Sequence, residues 1–220
     1  MTRHLRREIE KLKKKILHVG ARVEESLQGA MKALSEFDEK LAQDVMDGDR
    51  EIDALEVEVE EDCLKILALY QPVAIDLRFI VSVLKINSDL ERIGDLATNI
   101  AERVQALVPE SKRVPIPADI PELARRSQAM VKRSLDALVE MDEGIAHQVC
   151  EADSAVDALN RKMYRYTEAK IAADPNHTGP YIQMLGISRY LERIADHATN
   201  IAEDVIYMVG GEITRHRMPS

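Results

Sequence analysis

Tryptophan is absent from this sequence, phenylalanine occurs twice, and aromatic residues make up only 4% of the 220 positions. A β sandwich or barrel draws heavily on aromatic and β-branched side chains, so the shortage argues for helices packed through aliphatic groups. Cysteine is nearly absent too. Cys63 and Cys150 stand far apart in helical patterns without metal-type spacing, which predicts two buried thiols in a reducing compartment. No apolar run is long enough to span a bilayer, and Arg6-Arg7 is followed by Glu8 and Glu10 rather than by the apolar stretch of a signal peptide. The expectation is a soluble cytoplasmic protein with no membrane insertion. Positive charge is also in short supply: 30 Lys and Arg against 39 Asp and Glu leave a net charge of −9. That balance argues against nucleic acid as a partner, because phosphate binding needs a basic surface. Arg3, Arg6, Arg7, Lys11, Lys13, Lys14 and Lys15 are the local exception. They read as the solvated face of a first helix or as a contact for an acidic partner or a membrane surface.

What the sequence has in abundance is helical periodicity. Leu5, Ile9, Leu12, Ile16, Val19, Val23, Leu27, Ala30 and Leu34 recur in steps of three and four, predicting one long first helix. Asp38 is placed to cap a second helix, which ends at Gln71-Pro72. A third is expected from about Val73 to Val108. Pro109, Pro115, Pro117 and Pro121 then mark a linker. The pattern restarts with helices from about Glu122 to Met141, Asp142 to Ala173, and Tyr181 to Val209, the last stopped by Gly210-Gly211. The expected architecture is all-α, with two homologous three-helix bundles over residues 1–108 and 121–211. A Pro-rich linker spans 109–120, and a tail covers 212–220.

The halves are copies. Asp38-Glu39 matches Asp142-Glu143, and Asp53-Ala54-Leu55 matches Asp157-Ala158-Leu159. The thirteen residues from Leu90 to Glu102 differ from Leu191–Glu203 at only two positions, which points to domain duplication. Within the copies, four acidic pairs share one spacing: Asp49 with Asp53, Glu91 with Asp95, Asp153 with Asp157, and Glu192 with Asp196. Residues four apart share a helix face, about 5–6 Å between Cβ atoms, where like charges repel. Asn99 and Glu102 extend one row, Asn200 and Glu203 the other. Antiparallel neighbours would bring four carboxylates together, a set able to hold hard or borderline cations through oxygen. An acidic stripe opposite a core is ordinarily just a solvated face; its recurrence in both halves is what argues for cations, on the outer surface of each bundle. Such ligands are permissive, so Fe, Zn, Mn, Ni and Mg all suit them.

Enzyme motifs are missing. There is no phosphate loop, dinucleotide glycine fingerprint, nucleophile elbow or His-Glu-x-x-His helix. The Glu-x-x-His pairs of di-iron carboxylate enzymes are missing as well. His197 follows Asp196 but points away from the stripe, which makes it a surface or packing residue before an extra ligand. A surface metal site could still activate water for phosphoester hydrolysis, but no Lys, Arg or His is expected to recur beside the stripe. A purely structural helical adaptor is the other rival.

The Glu-Arg-Ile-Gly/Ala-Asp-x-Ala-Thr-Asn-Ile-Ala-Glu segments, and the stretch Gln71-Pro72-Val73-Ala74-Ile75-Asp76-Leu77-Arg78, resemble motifs of the PhoU family, the phosphate-uptake regulators of bacteria and archaea. The resemblance runs along essentially the whole chain. It implies two three-helix bundles related by an approximate twofold, with clusters of iron, zinc or other divalent ions on their surfaces. Asp49, Asp53, Glu91 and Asp95 would serve one cluster; Asp153, Asp157, Glu192 and Asp196 would serve the other. It further implies a non-enzymatic adaptor, commonly dimeric. Such an adaptor links the ATPase subunit of the phosphate transporter to a sensor histidine kinase, represses the phosphate-starvation regulon and restrains phosphate uptake. The second half lacks an Asp-Leu-Arg counterpart, so Asp76 and Arg78 act once, in a local salt bridge or a partner contact.

Overall fold

Six amphipathic segments fold as six long helices in the computed structural model, which describes residues 3–110 and 114–211; the expected tail 212–220 lies outside the described residues. They are α1 (Arg3–Glu36), α2 (Glu39–Tyr70), α3 (Ala74–Leu107), α4 (Asp119–Glu140), α5 (Glu143–Ala173) and α6 (Thr178–Gly210). No strand occurs among the described residues. The same turn opens the second helix of each half. Phe37 and Met141 adopt left-handed backbone with φ of 52° and 53°. The Asp38 carboxylate then accepts from the Leu41 amide, and Asp142 accepts from the amides of Gly144 and Ile145. These caps satisfy amides that the first helical turn leaves without partners.

Two boundaries differ from expectation for one reason. α4 begins at Asp119 with Pro121 in its first turn, and α6 begins at Thr178 with Pro180 in its first turn. Proline is tolerated there because those amides have no intrahelical acceptor to lose. The expected linker is therefore shorter than 109–120. Val108–Glu110 form a short 3-10 turn, and residues 111–113 lie outside the described residues.

α1, α2 and α3 form one bundle and α4, α5 and α6 the other, with α3 and α6 packed against each other at the centre. Lys85 reaches Asp204, Asp89 reaches His197, and Arg103 reaches Gln183, so α3 and α6 run antiparallel. Val83, Ile86, Leu90, Ile93, Ala97 and Ile100 of α3 are fully buried, as are Ile187, Leu191, Ile194, Ala198 and Ile201 of α6. The two bundles thus share one continuous core. Gly20 of α1 admits Leu135 of α4: a Cβ there would lie 2.8 Å from the leucine Cδ2.

Candidate metal centres

The two hairpins α2–α3 and α5–α6 carry the carboxylate rows to facing positions. Asp49 feels the charges of Asp53 on its own helix and of Asp95 on α3; Glu91 feels Asp95 and, across the hairpin, Asp53. In the second half Asp153 feels Asp196 and Asp157, and Glu192 feels Asp157 and Asp153. The four carboxylates of each half are thus near enough to feel one another's charge. Asp53 and Asp196 are exposed and the other six are half-buried, so both groups lie on the flank of a bundle rather than in its core.

The gathering makes the carboxylates easier to protonate. Partial burial, then Asp53 and Asp95, push Asp49 above its ordinary range, with the Thr98 hydroxyl working the other way. Glu91 is raised by burial and by Asp95, with Arg92 opposing. Burial and its two acidic neighbours push Asp153 up to about 6. Glu192 is raised by burial and Asp157, with the Asn160 amide and Arg189 opposing, and Asp196 by burial and Glu192, with His197 and Arg193 opposing. Desolvation and like charge act together here, and a cation relieves both. A further sign of incompleteness repeats at one motif position. The Thr98 and Thr199 hydroxyls, each three residues beyond a stripe aspartate in the Asp-x-Ala-Thr segment, are buried without a well-formed hydrogen bond, although Thr98 lies close enough to act on Asp49.

As placed, the side chains are turned toward other partners. Among the described residues no three Asp, Glu, His or Cys side chains converge closely enough to hold an ion. Arg92 bonds Asp95 at 3.1 Å and approaches Glu91 at 3.4 Å, and Arg161 bonds Asp157 at 3.2 Å. The donor set suits an oxygen-preferring cation in chemistry, and ligation would mean turning these side chains together and exchanging the arginine contacts for metal. They also correct the expectation that no cation recurs beside the stripe. Arg92 has its counterpart in Arg193, and both act on stripe carboxylates.

The less certain extensions diverge. Asn99 donates to the backbone oxygen of Asp95 at 2.8 Å, along the stripe. Asn200 instead donates to Asp89 at 3.1 Å, beside the His197 Nδ1 contact with the same carboxylate at 2.8 Å. His197 is thus a packing residue that joins the two bundles. Glu102 is exposed, and Glu203 is half-buried with its charge felt by Cys150. Cys63 is buried as expected, its thiol pushed up to about 12 by burial and nearby acids. Cys150 is only half-buried, and burial, Glu203 and Asp153 push it up to about 11. The spacing of Cys150 three residues before Asp153 was the signal that places it at the second stripe. Glu56 joins the first stripe, raised by burial and by Glu60 and Asp53. Asp76 and Arg78 make no salt bridge with each other among the described residues. Asp76 lines a cavity at the end of the molecule, and the Arg78 guanidinium packs so tightly on the α6 cap that a Cβ at Gly211 would lie 1.9 Å from its Nη1.

Known proteins share both the duplication and its three-dimensional form. The family model described as the PhoU domain matches residues 16–104 and again 120–205. A phosphate-specific transport system accessory protein PhoU homolog of Pseudomonas putida is 37% identical over 209 residues, covering 95% of this chain and 82% of that one. Its namesake in Aquifex aeolicus is 38% identical, covering 96% and 95%. The crystal structure of PhoU from Pseudomonas aeruginosa superposes with a TM-score of 0.91 at 36% identity, covering 94% of this chain and 99% of that one. The phosphate transport system regulatory protein PhoU from Streptococcus pneumoniae gives 0.86 at 27% identity, covering 96% and 99%. These proteins are named for an accessory and regulatory role and none for a catalysed reaction. With the family pattern matched twice and the relatives covered nearly end to end, this chain belongs to the PhoU family.

Proposed function

We propose that this protein is an accessory regulator of phosphate transport that acts by protein contacts and carries cations on its two carboxylate faces. The observation that carries the reading is the twofold recurrence of a strained acidic group, on a fold whose relatives are named for phosphate transport. Asp49, Asp53, Glu91 and Asp95 hold one cation group and Asp153, Asp157, Glu192 and Asp196 the other, with iron or zinc the best-suited ions. A bound cation supplies positive charge that lets each hairpin keep its carboxylates ionised. The contacts proposed are with the ATPase subunit of a phosphate transporter and with a sensor histidine kinase, in the cytoplasm, by a homodimer that holds phosphate-starvation genes off and restrains uptake. The test replaces Glu91, Asp95, Glu192 and Asp196 by Ala in the host. Expected are loss of metal from the purified protein and starvation-gene expression in high phosphate. Full repression by a folded, metal-free variant would detach the metal from signalling, and no metal in the native protein would remove it altogether.

A further inference from the structure

The two ends of this duplicated molecule are chemically unlike. At one end the α2–α3 turn meets the start of α1; at the other lies the α5–α6 turn. Lys15 bonds Glu58 and Asp62 while Arg22, further along α1, bonds Glu51, earlier in α2, so α1 and α2 run antiparallel. Twelve residues further along each helix, about 18 Å, bring Arg3 level with Tyr70. Arg6 and Ile75 line the same end cavity, which ties the start of α1 to the start of α3. The register that sets Asp49 on Asp153 sets Lys15 on Asp119, where α4 begins. The stretch Arg3–Lys14 therefore has no counterpart in the second bundle.

That end is basic in an acidic protein. Residues 3–7 and 70–78 contain Arg3, Arg6, Arg7 and Arg78 against one carboxylate, Asp76, while Lys65 is paired with Glu61 and Asp62 and Glu10 lines the same cavity. Lys11, Lys13 and Lys15 are paired with acids of α1 and α2, whereas Arg3, Arg6, Arg7 and Lys14 have no ion pair among the described residues. It is also apolar. Of ten exposed large hydrophobic side chains among the described residues, five lie within residues 64–77: Leu64, Leu69, Val73, Ile75 and Leu77. Leu69 and Val73, flanking the turn, are 74% and 73% exposed, the highest values among the large hydrophobic side chains of the described residues. The opposite turn reads Asp174-Pro175-Asn176-His177, with Asp174 bonded to His177 and no large aliphatic.

We infer that the α2–α3 end rests on an anionic phospholipid surface, with Arg3, Arg6 and Arg7 among the headgroups and Leu69, Val73 and Ile75 at the headgroup–acyl boundary. Unpaired cations beside exposed aliphatics are the combination that holds peripheral proteins to acidic bilayers. Leu69 and Val73 stand out into solvent on either side of the turn, beside rather than inside the end cavity, which suits a deformable lipid surface. The carboxylates Glu140 and Asp142 of the neighbouring α4–α5 turn confine the contact to the first bundle. This goes beyond the adaptor reading and does not depend on the metal.

The test is co-sedimentation of the full chain with vesicles of phosphatidylcholine alone or mixed with phosphatidylglycerol. Binding is expected to the mixed vesicles only and to fall with added salt. Replacing Arg3, Arg6 and Arg7 by Gln should lower partitioning about tenfold or more. Replacing Val73 and Ile75 by Ser should lower it about threefold or more. Both sets of changes fall on exposed residues, so circular dichroism should show an unaltered helix content. Failure to bind the mixed vesicles overturns the inference and leaves this end to an acidic protein partner. Equal binding to neutral vesicles, or binding unchanged by either variant, overturns it as well.

Discussion

Ile52 and Gly94 meet where α2 crosses α3, and a Cβ added at Gly94 would lie 3.2 Å from the isoleucine Cδ1. The corresponding pair in the second half is Val156 and Ala195, both fully buried. One carbon has moved from one helix to the other while the total is kept, which is how close-packed cores tolerate change. Gly94→Ala alone gains helix propensity but crowds Ile52, and Ile52→Val alone leaves a gap costing about 1 kcal/mol. The double variant copies the second half. Its stability should exceed the sum of the single effects by about 1 kcal/mol in urea unfolding. Strict additivity would mean that the two side chains do not compete for space.

At the scale of helices, the α2–α3 and α5–α6 hairpins hold carboxylates whose ionisation opposes folding. Asp153 titrates near 6 in the folded chain, above its ordinary value, so the folded form binds that proton more tightly than the unfolded chain does. Metal-free protein should therefore gain stability as pH falls from about 7 toward 4 and lose it as pH rises through 6. For a half-exposed group the effect is about 1 kcal/mol once solvent screening is allowed for. Urea midpoints measured in chelator should show this slope, and Asp153→Asn should flatten it. Adding the proposed cation should reverse the slope, since protons then compete with metal for the same oxygens. Chelation at neutral pH should lower Tm by several degrees, because a ligand at a hundred times its Kd contributes about 2.7 kcal/mol. Helix content should survive, since the core does not involve the stripe; complete unfolding would make the metal structural. The helices, their duplication and the eight facing carboxylates were legible in the sequence because period and i, i+4 spacing are local. Arg92 and Arg161 turning onto the stripe, Asn200 turning off it and Cys150 at its edge were not. Those outcomes depend on side-chain reach between helices, which spacing along one helix does not encode.

Across the whole molecule, the bundles are joined by polar contacts set into the α3–α6 core. Lys85 meets Asp204, which is 2% exposed, at 3.4 Å and lies over the Tyr207 ring. Arg103 donates to Gln183 at 2.6 Å and to the Tyr190 hydroxyl at 3.1 Å. Lys85→Met deprives a buried carboxylate of its cation and should cost about 2 kcal/mol, reduced from the value for a fully buried pair because Lys85 is itself partly exposed. Adding Asp204→Asn should recover much of that loss in thermal unfolding; no recovery would show that the lysine acts through packing. These contacts also bear on ancestry. In the repeat register Lys85 corresponds to Gly186 and Arg103 to Asp204, and the Arg103 guanidinium lies where a Cβ at Gly186 would be, 2.5 Å from its Cζ. A homodimer of first repeats would set lysine against arginine twice, and a homodimer of second repeats would twice set the aspartate against glycine where lysine now stands. Once fused, the two copies were free to become acid and base to one another, and neither can now stand in for its twin.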